Sequence, residues 1–409
     1  MRAFCRAVVT NANVTKEQRK RIAPRIASKA GISAVLQLAR CDRTHAAVTE
    51  QWDADPWILN TPGGRVDLRT GVIGKHQRED HCTKLTSCEV NGTCPEWMQF
   101  LDRITGQDLE LQQFLQRVAG YLLTAITREQ ALFFLYGTGQ NGKSTFIETL
   151  AGAMGDYATA APMGTFMASS HEPHPTDVAG LQGARLVTAA ETEEGRRWNE
   201  SKVKALTGGD SIAARFMRQD NFKFTPTFKI VIVANNKPGL RSVDHAIRRR
   251  LIMVPFSVTI SNEQRDSTLN EKLKTERPGI LRWAIEGCLS WQKEGLKPPP
   301  AVKNATESYF AEEDVLEQWI LDRCVTGAKY HDSLSDLHAD FIKWNELPDP
   351  SKAWSKKTFS QSMGKKNYLS VKMGNAKTTC LAGVALKKSQ PQGLHQMSTT
   401  PQGKSGTSW

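Results

Sequence analysis

The segment Gly137-Thr138-Gly139-Gln140-Asn141-Gly142-Lys143-Ser144-Thr145 constrains this chain more than any other. It follows the apolar run 131–136 and leads into the helix-compatible residues 146–150, giving the order strand, glycine-rich loop, helix. Glycines let consecutive backbone N–H groups curl around a phosphate without Cβ clashes. The N-terminus of the following helix adds a favourable dipole. In the pattern G-x-x-x-x-G-K-S, Lys143 reaches the β- and γ-phosphates and the Ser144 hydroxyl can ligate Mg²⁺. The expected ligands are ATP and Mg²⁺, with residues 137–145 as the phosphate cradle.

At 409 residues the chain is long enough for two or three domains. Its formal charge of +12 points to a polyanionic partner, and the excess is uneven. From position 351 to 409 there are ten lysines and no acidic residue. In residues 353–386 the lysines alternate with Trp354, Phe359, Tyr368 and Val371, the pattern of a small folded nucleic-acid-binding unit rather than a solvated tail. The eight cysteines form no C-x-x-C pair. The spacing of His81, Cys82, Cys88 and Cys94 matches no common zinc module, so reduced thiols are expected. No apolar run approaches the length of a membrane span and the N-terminus lacks a signal-peptide core, so a cytoplasmic protein without membrane contact is expected.

Residues 16–29 carry a dense cationic helical face and residues 32–39 an apolar helix. Two small strands joined by glycine turns are expected over 57–71, and helices from Pro95 and from Asp108, the latter as N-cap. Strand and helix alternate from 131 to 255, which predicts a three-layer α/β/α motor around a mainly parallel sheet. The expected division is an accessory domain of helices and small strands (1–110), an ATPase core (111–265), and a helical extension with a Pro-rich linker (266–310). A winged-helix-like unit (311–388) and a disordered tail (389–409) complete it.

A triphosphatase also needs a carboxylate on Mg²⁺, a group that orients water, a γ-phosphate sensor and a cation for the transition state. The strand 185–190 ends at Glu191-Thr192-Glu193-Glu194, on the edge where parallel sheets bind ligands. Either Glu191 or Glu193 suits the metal or the attacking water, and a solvated acidic turn is the competing reading. The strand 229–234 ends at Asn235, placed to sense the γ-phosphate; Asn236 reads as a turn residue. Arg248, Arg249 and Arg250 precede the strand 251–254 and offer a guanidinium to a neighbouring subunit, or a plain basic face.

In this order the motifs resemble those of superfamily 3 helicases, the kind fused to primases in phages, plasmids and poxviruses. Residues 137–145 resemble that family's Walker A segment, residues 191–195 its Walker B end, and Asn235 its sensor. Arg249-Arg250-Leu251 resembles the arginine-finger segment, with Arg250 first in line. Residues 204–215 look like the approach to a DNA-contacting β-hairpin. Residues 57–71 and 113–124 resemble the accessory domain that precedes such motors.

The resemblance implies a P-loop motor of AAA+ type, assembled as a hexameric ring around a single DNA strand, that unwinds DNA in the replication of a phage, prophage or plasmid. Arg218, Gln219, Phe222 and Lys223 would then face the channel, with an ordinary surface turn as the alternative. The family's polymerising primase domain would precede residue 1, so primer synthesis is not expected of these residues, and a separate primase is a candidate partner. An origin-binding initiator or loader is the second reading. A small-molecule kinase is the third, and the basic C-terminal segment argues against it.

Overall fold

Apolar alternation along short strands builds the central layer. The computed structural model describes residues 7, 10, 13–43, 47–169, 176–190, 195–241, 243–345, 354–373 and 378–387. Two capped helices, Lys16–Ile26 and Lys29–Cys41, open the described chain; Thr15 and Ser28 accept the N-terminal N–H bonds, and neither helix buries a residue. An antiparallel meander follows: β1 (Ile58–Thr61), β2 (Gly64–Asp67) and β3 (Val72–Gly74). The third strand was not expected. Then come the helices Pro95–Thr105 and Leu109–Leu123, the second capped by Asp108, whose carboxylate accepts from the Leu111 amide at 3.0 Å.

The central sheet consists of β4 (Leu132–Tyr136), β5 (Ala158–Ala160), β6 (Leu186–Ala190), β9 (Lys229–Ala234) and β10 (Leu251–Pro255). Its order is β10-β4-β9-β6-β5 and every pairing is parallel. The hairpin β7 (Ile212–Ala214) and β8 (Phe222–Phe224) stands apart from it. Side chains alternate across a strand. Phe133, Leu135, Val231, Val233 and Val254 therefore face one core, and Leu132, Phe134, Ile230, Ile232 and Met253 the other. The helix Lys143–Met154 covers the first face through Phe146, Ile147 and Leu150. The helices Glu200–Thr207 and Pro300–Glu313 cover the second. Prolines 299 and 300 form the N-cap and first turn of that last helix.

The first core does not stop at the central sheet. Trp97 stacks on Phe146 at 5.5 Å, and the helix Leu109–Leu123 crosses Arg277–Glu294 with backbones in contact. At the N-terminal edge of the sheet, Arg185 and Lys229 are buried side by side. Arg185 donates to the carbonyls of Leu123 (2.7 Å) and Ile58 (2.6 Å), and Lys229 to that of Thr124. Their cationic heads lie over the rings of Tyr157 and Tyr121, at 4.4 and 5.1 Å.

The C-terminal unit runs helix Val315–Arg323, β11 (Cys324–Ser333), helices Leu334–Trp344 and Lys356–Lys365, then β12 (Ser370–Met373) and β13 (Thr378–Leu386). Its antiparallel sheet has the order β11-β13-β12. The aromatic residues interleaved with lysine are largely core: Phe359 is buried and Trp354 packs on Phe341 at 5.3 Å, while Lys356, Lys357, Lys365 and Lys372 are exposed. The tail from 389 lies outside the described residues. Among the described residues, seven cysteines are free and no helix is long and apolar enough to cross a membrane.

The helix crossing gives a sharp test. A Cβ on Gly120 would sit 1.9 Å from the Cys288 amide nitrogen, a backbone atom that cannot step aside. Gly120→Ala is expected to destabilise by about 3 kcal/mol or more. Gly180→Ala, where no atom lies within 4 Å, should change stability by under about 0.5 kcal/mol. Urea unfolding of both variants checks this.

Candidate nucleotide site

The loop after β4 owes its shape to two glycines. Gly142 adopts φ +80° as the N-cap of the helix Lys143–Met154. Gly137 has no room for a side chain, since a Cβ there would meet Asn141 Nδ2 and the Phe256 carbonyl oxygen, each at 2.3 Å. The Asn141 amide runs beneath Gly137 and donates to the Phe256 carbonyl at 3.0 Å, and the Ile260 amide donates to the Gln140 carbonyl at 2.8 Å. The exit of β10 thus braces the loop from below.

Lys143 is buried, and burial lowers its pKa. Its Nζ donates to three neutral oxygens: the Gly137 carbonyl (3.0 Å), Asn141 Oδ1 (2.9 Å) and Asn235 Oδ1 (3.1 Å). A desolvated ammonium held by neutral acceptors is poised to take anionic oxygens, whose charge would restore what burial removes. β4 and β9 are neighbours in register, so the ends of both strands deliver Lys143 and Asn235 to the same edge. Two candidates far apart in sequence are brought together.

The cleft above them encloses about 1180 Å³. Its walls include Gly139, Gln140, Asn141, Gly142, Ser144 and Thr145 of the loop, with Ser144 exposed. Ala190, the last residue of β6, also lines it and pairs with Val233 of β9. The chain therefore enters positions 191–194 from this edge, but Glu191 and Glu193 lie outside the described residues. Sequence reasoning missed Glu148, one helical turn beyond Ser144, and Gln99, Phe100 and Arg103 of the helix Pro95–Thr105, all of which line the cleft. The i, i+4 relation of Ser144 and Glu148 was a usable signal; the approach of a helix forty positions upstream left none.

The arginines need a correction. Arg250, expected to reach a neighbouring subunit, is only 6% exposed. Its Nε donates to Thr207 Oγ1 (3.1 Å) and its Nη1 to the Ala246 carbonyl (2.7 Å), so it serves its own chain. Arg248 lies over the Phe310 ring at 5.1 Å. Arg249 is exposed. All three precede β10 and occupy the N-terminal edge of the sheet, whereas the phosphate loop occupies the C-terminal edge. Five strand residues separate the two edges, roughly 16 Å.

At that same N-terminal edge, β7 and β8 pair as Ile212 with Phe224 and Ala214 with Phe222, and the seven residues 215–221 form the tip. Arg218, Gln219 and Lys223 are exposed, as a channel role requires. Phe222, expected to present its ring outward, is half-buried and stacked between Phe216 and Phe224 at 5.4 and 5.9 Å. The exposed apolar residues of the tip are Phe216 and Met217. Among the described residues no group of three or more His, Cys, Asp or Glu is placed to hold a metal.

Two family models match the chain: "D5 N terminal like" over residues 1–106 and "Family of unknown function (DUF5906)" over residues 135–250. The protein named "Putative helicase L207/L206" of Acanthamoeba polyphaga mimivirus is 25% identical over 319 residues, covering 71% of this chain and 33% of that protein. "Putative helicase 022R" of Frog virus 3 is 25% identical over 310 residues, 70% of this chain and 31% of its own length. "Primase D5" of Fowlpox virus is 24% identical over 271 residues, 59% and 34%. The chain thus spans about a third of these relatives. A solved structure of the C-terminal region of NrS-1, in its A form without ligand, superposes with a TM-score of 0.48 at 11% identity, covering 87% of this chain and 90% of that one.

The two arginines separate by stability alone. Arg250→Ala leaves the Ala246 carbonyl and the Thr207 hydroxyl without that donor and should cost about 1–3 kcal/mol. Arg249→Ala, at an exposed position, should stay within about 0.5 kcal/mol of the parent. Denaturant unfolding of the two variants side by side is the measurement.

Proposed function

This chain belongs to the D5-like primase–helicase family, and on that premise we propose that it hydrolyses ATP to translocate along and unwind DNA during replication of a viral or other mobile element. The observation that carries the reading is the Lys143 Nζ to Asn235 Oδ1 contact, which joins a phosphate-binding cation and a sensor amide at one sheet edge. Lys143 exchanges its neutral partners for β- and γ-phosphate oxygens. Asn235, released from the lysine, orients the attacking water and reports the γ-phosphate. Ser144 and a carboxylate from Glu191 or Glu193 would hold Mg²⁺, which would supply charge neutralisation to the phosphates. The nucleoside lies toward Gln99, Phe100 and Arg103, which makes the accessory helices part of the nucleotide site.

We take the transition-state cation to come from an adjacent copy of the chain. Arg249 stands on the far edge of the sheet and completes the site of an adjacent copy, which favours a closed ring, with six members expected from the family. The hairpin tip carries DNA through Arg218 and Lys223, with Phe216 and Met217 rather than Phe222 as the apolar contact. We read the C-terminal unit, with its three helices and three strands, as a winged helix whose exposed Lys356, Lys357, Lys365 and Lys372 bind duplex DNA. That basic unit also favours the second reading, an initiator or loader that remodels origin DNA. Strand displacement on a forked substrate separates the two, because a loader hydrolyses ATP there without displacing the strand.

Lys143→Ala should abolish turnover. Arg249→Ala should retain nucleotide affinity and lose about 10³-fold or more in kcat. Mixing the two inactive variants should restore part of the activity, since some interfaces then combine an intact loop with an intact arginine; turnover that stays at zero in every mixture sinks the shared site. Arg218→Ala and Lys223→Ala should each reduce the slope of log affinity against log salt for single-stranded DNA by about 0.7. Titrations at several salt concentrations measure this.

A further inference from the structure

The sensor asparagine begins a loop in which Lys237, Pro238 and Leu240 are bonded to the helix leading into the C-terminal unit. Lys237 Nζ lies over the Tyr136 ring at 4.9 Å and donates to Glu312 Oε2 at 3.2 Å. The Pro238 carbonyl accepts from the Tyr309 hydroxyl, which itself accepts from Trp198 Nε1 at 2.9 Å. Gly239 exchanges backbone bonds with the strand that follows the acidic segment, accepting from Trp198 N (3.0 Å) and donating to the Arg196 carbonyl (2.9 Å). The Leu240 amide donates to Glu313 Oε2 at 2.7 Å. Three of the four residues 237–240 are thus tied to the helix Pro300–Glu313, and the fourth to the segment 196–198.

That helix passes without a linker into the next unit. Asp314 terminates it and caps the helix Val315–Arg323, accepting from the Glu317 amide at 3.1 Å. Its second oxygen accepts from Lys366 Nζ at 2.9 Å, and Glu317 Oε2 accepts from the same ammonium at 2.5 Å. Lys366 directly follows the exposed lysine-bearing helix Lys356–Lys365. Asp314 is buried and Lys366 half-buried, so solvent screening is weak along this joint. One bonded series runs from Lys143 through Asn235, the 237–240 loop, Tyr309 and Glu313, and Asp314 to Lys366.

We infer that Tyr309 and Glu313 are positioning residues for Asn235, and that with Asp314 and Lys366 they couple the nucleotide state to the DNA affinity of the C-terminal unit. The inference rests on the proposed ATPase and DNA-binding reading. When Asn235 exchanges Lys143 for a γ-phosphate, the loop shifts as a body, and Tyr309 and Glu313 carry the shift to the Asp314 joint. Linkage makes the effect reciprocal: DNA on the C-terminal unit changes nucleotide affinity by the same factor.

The test uses the full chain. Affinity for a fluorescent duplex is measured with ADP and with a non-hydrolysed ATP analogue, and ATP turnover is measured without DNA. The parent protein should show different duplex affinities in the two nucleotide states, by about 5- to 150-fold. Lys366→Met should remove that difference while basal kcat and KM stay at parental values. Tyr309→Phe should remove it and also lower kcat several-fold with KM unchanged, because Asn235 is no longer held. A parent protein that binds DNA and hydrolyses ATP but shows equal duplex affinity in both states overturns the coupling and leaves the proposed function standing. Parental coupling in Lys366→Met, or in Tyr309→Phe should Lys366→Met not fold, overturns it too. A parent without DNA binding fails the underlying reading instead.

Discussion

Two buried cations, neither in an ion pair among the described residues, tie the accessory elements to the central sheet. Arg185 directly precedes β6 and Lys229 begins the adjacent β9, and like charges so placed repel. Their partners are backbone carbonyls at the end of the helix Leu109–Leu123, where the helix dipole concentrates negative charge, and the faces of two tyrosines. Burial drives the Lys229 pKa well down, which measures how costly the arrangement is. Once formed, it fixes the end of one accessory helix, and through Ile58 the small meander, to the entry edge of the central sheet. The Gly120 crossing and the Trp97–Phe146 stack then fall into register. The accessory helices consequently line the nucleotide cleft instead of trailing from the sheet.

Much of this was legible in the sequence where a single local rule sufficed. The glycine-rich loop, the strand before it, the helix after it and the Asp108 cap each follow from spacing and residue type, because a glycine turn, an apolar run and an N-cap are decided within a few residues. Asn235 was legible as the residue at a strand tip, but its contact with Lys143 depended on strand order, which no local pattern fixes.

What escaped was decided by distant packing. Three consecutive arginines look equivalent on paper. Only the short helix before β10, which turns Arg250 toward Thr207 and leaves Arg249 outside, distinguishes them. Phe222 looked like a base-stacking ring because Phe216, six positions before it, meets it only across the folded hairpin; Phe224, two positions on, lies in the same strand. β11 was hidden between two helix patterns, since Cys324 to Ser333 is mostly polar and gains its strand partner from β13, some fifty positions on.

β10 has one more consequence. Its exit braces the glycine-rich loop through Phe256 and Ile260, while its entry lies two residues after Arg249. A five-residue strand fully paired to β4 does not stretch, so it would act as a connecting rod between the proposed pocket and the proposed finger. In a closed ring, a displacement at one pocket would reach the neighbouring pocket with its amplitude preserved and no hinge to absorb it. Firing order around such a ring would then be a mechanical property of one short strand, requiring no separate signalling element.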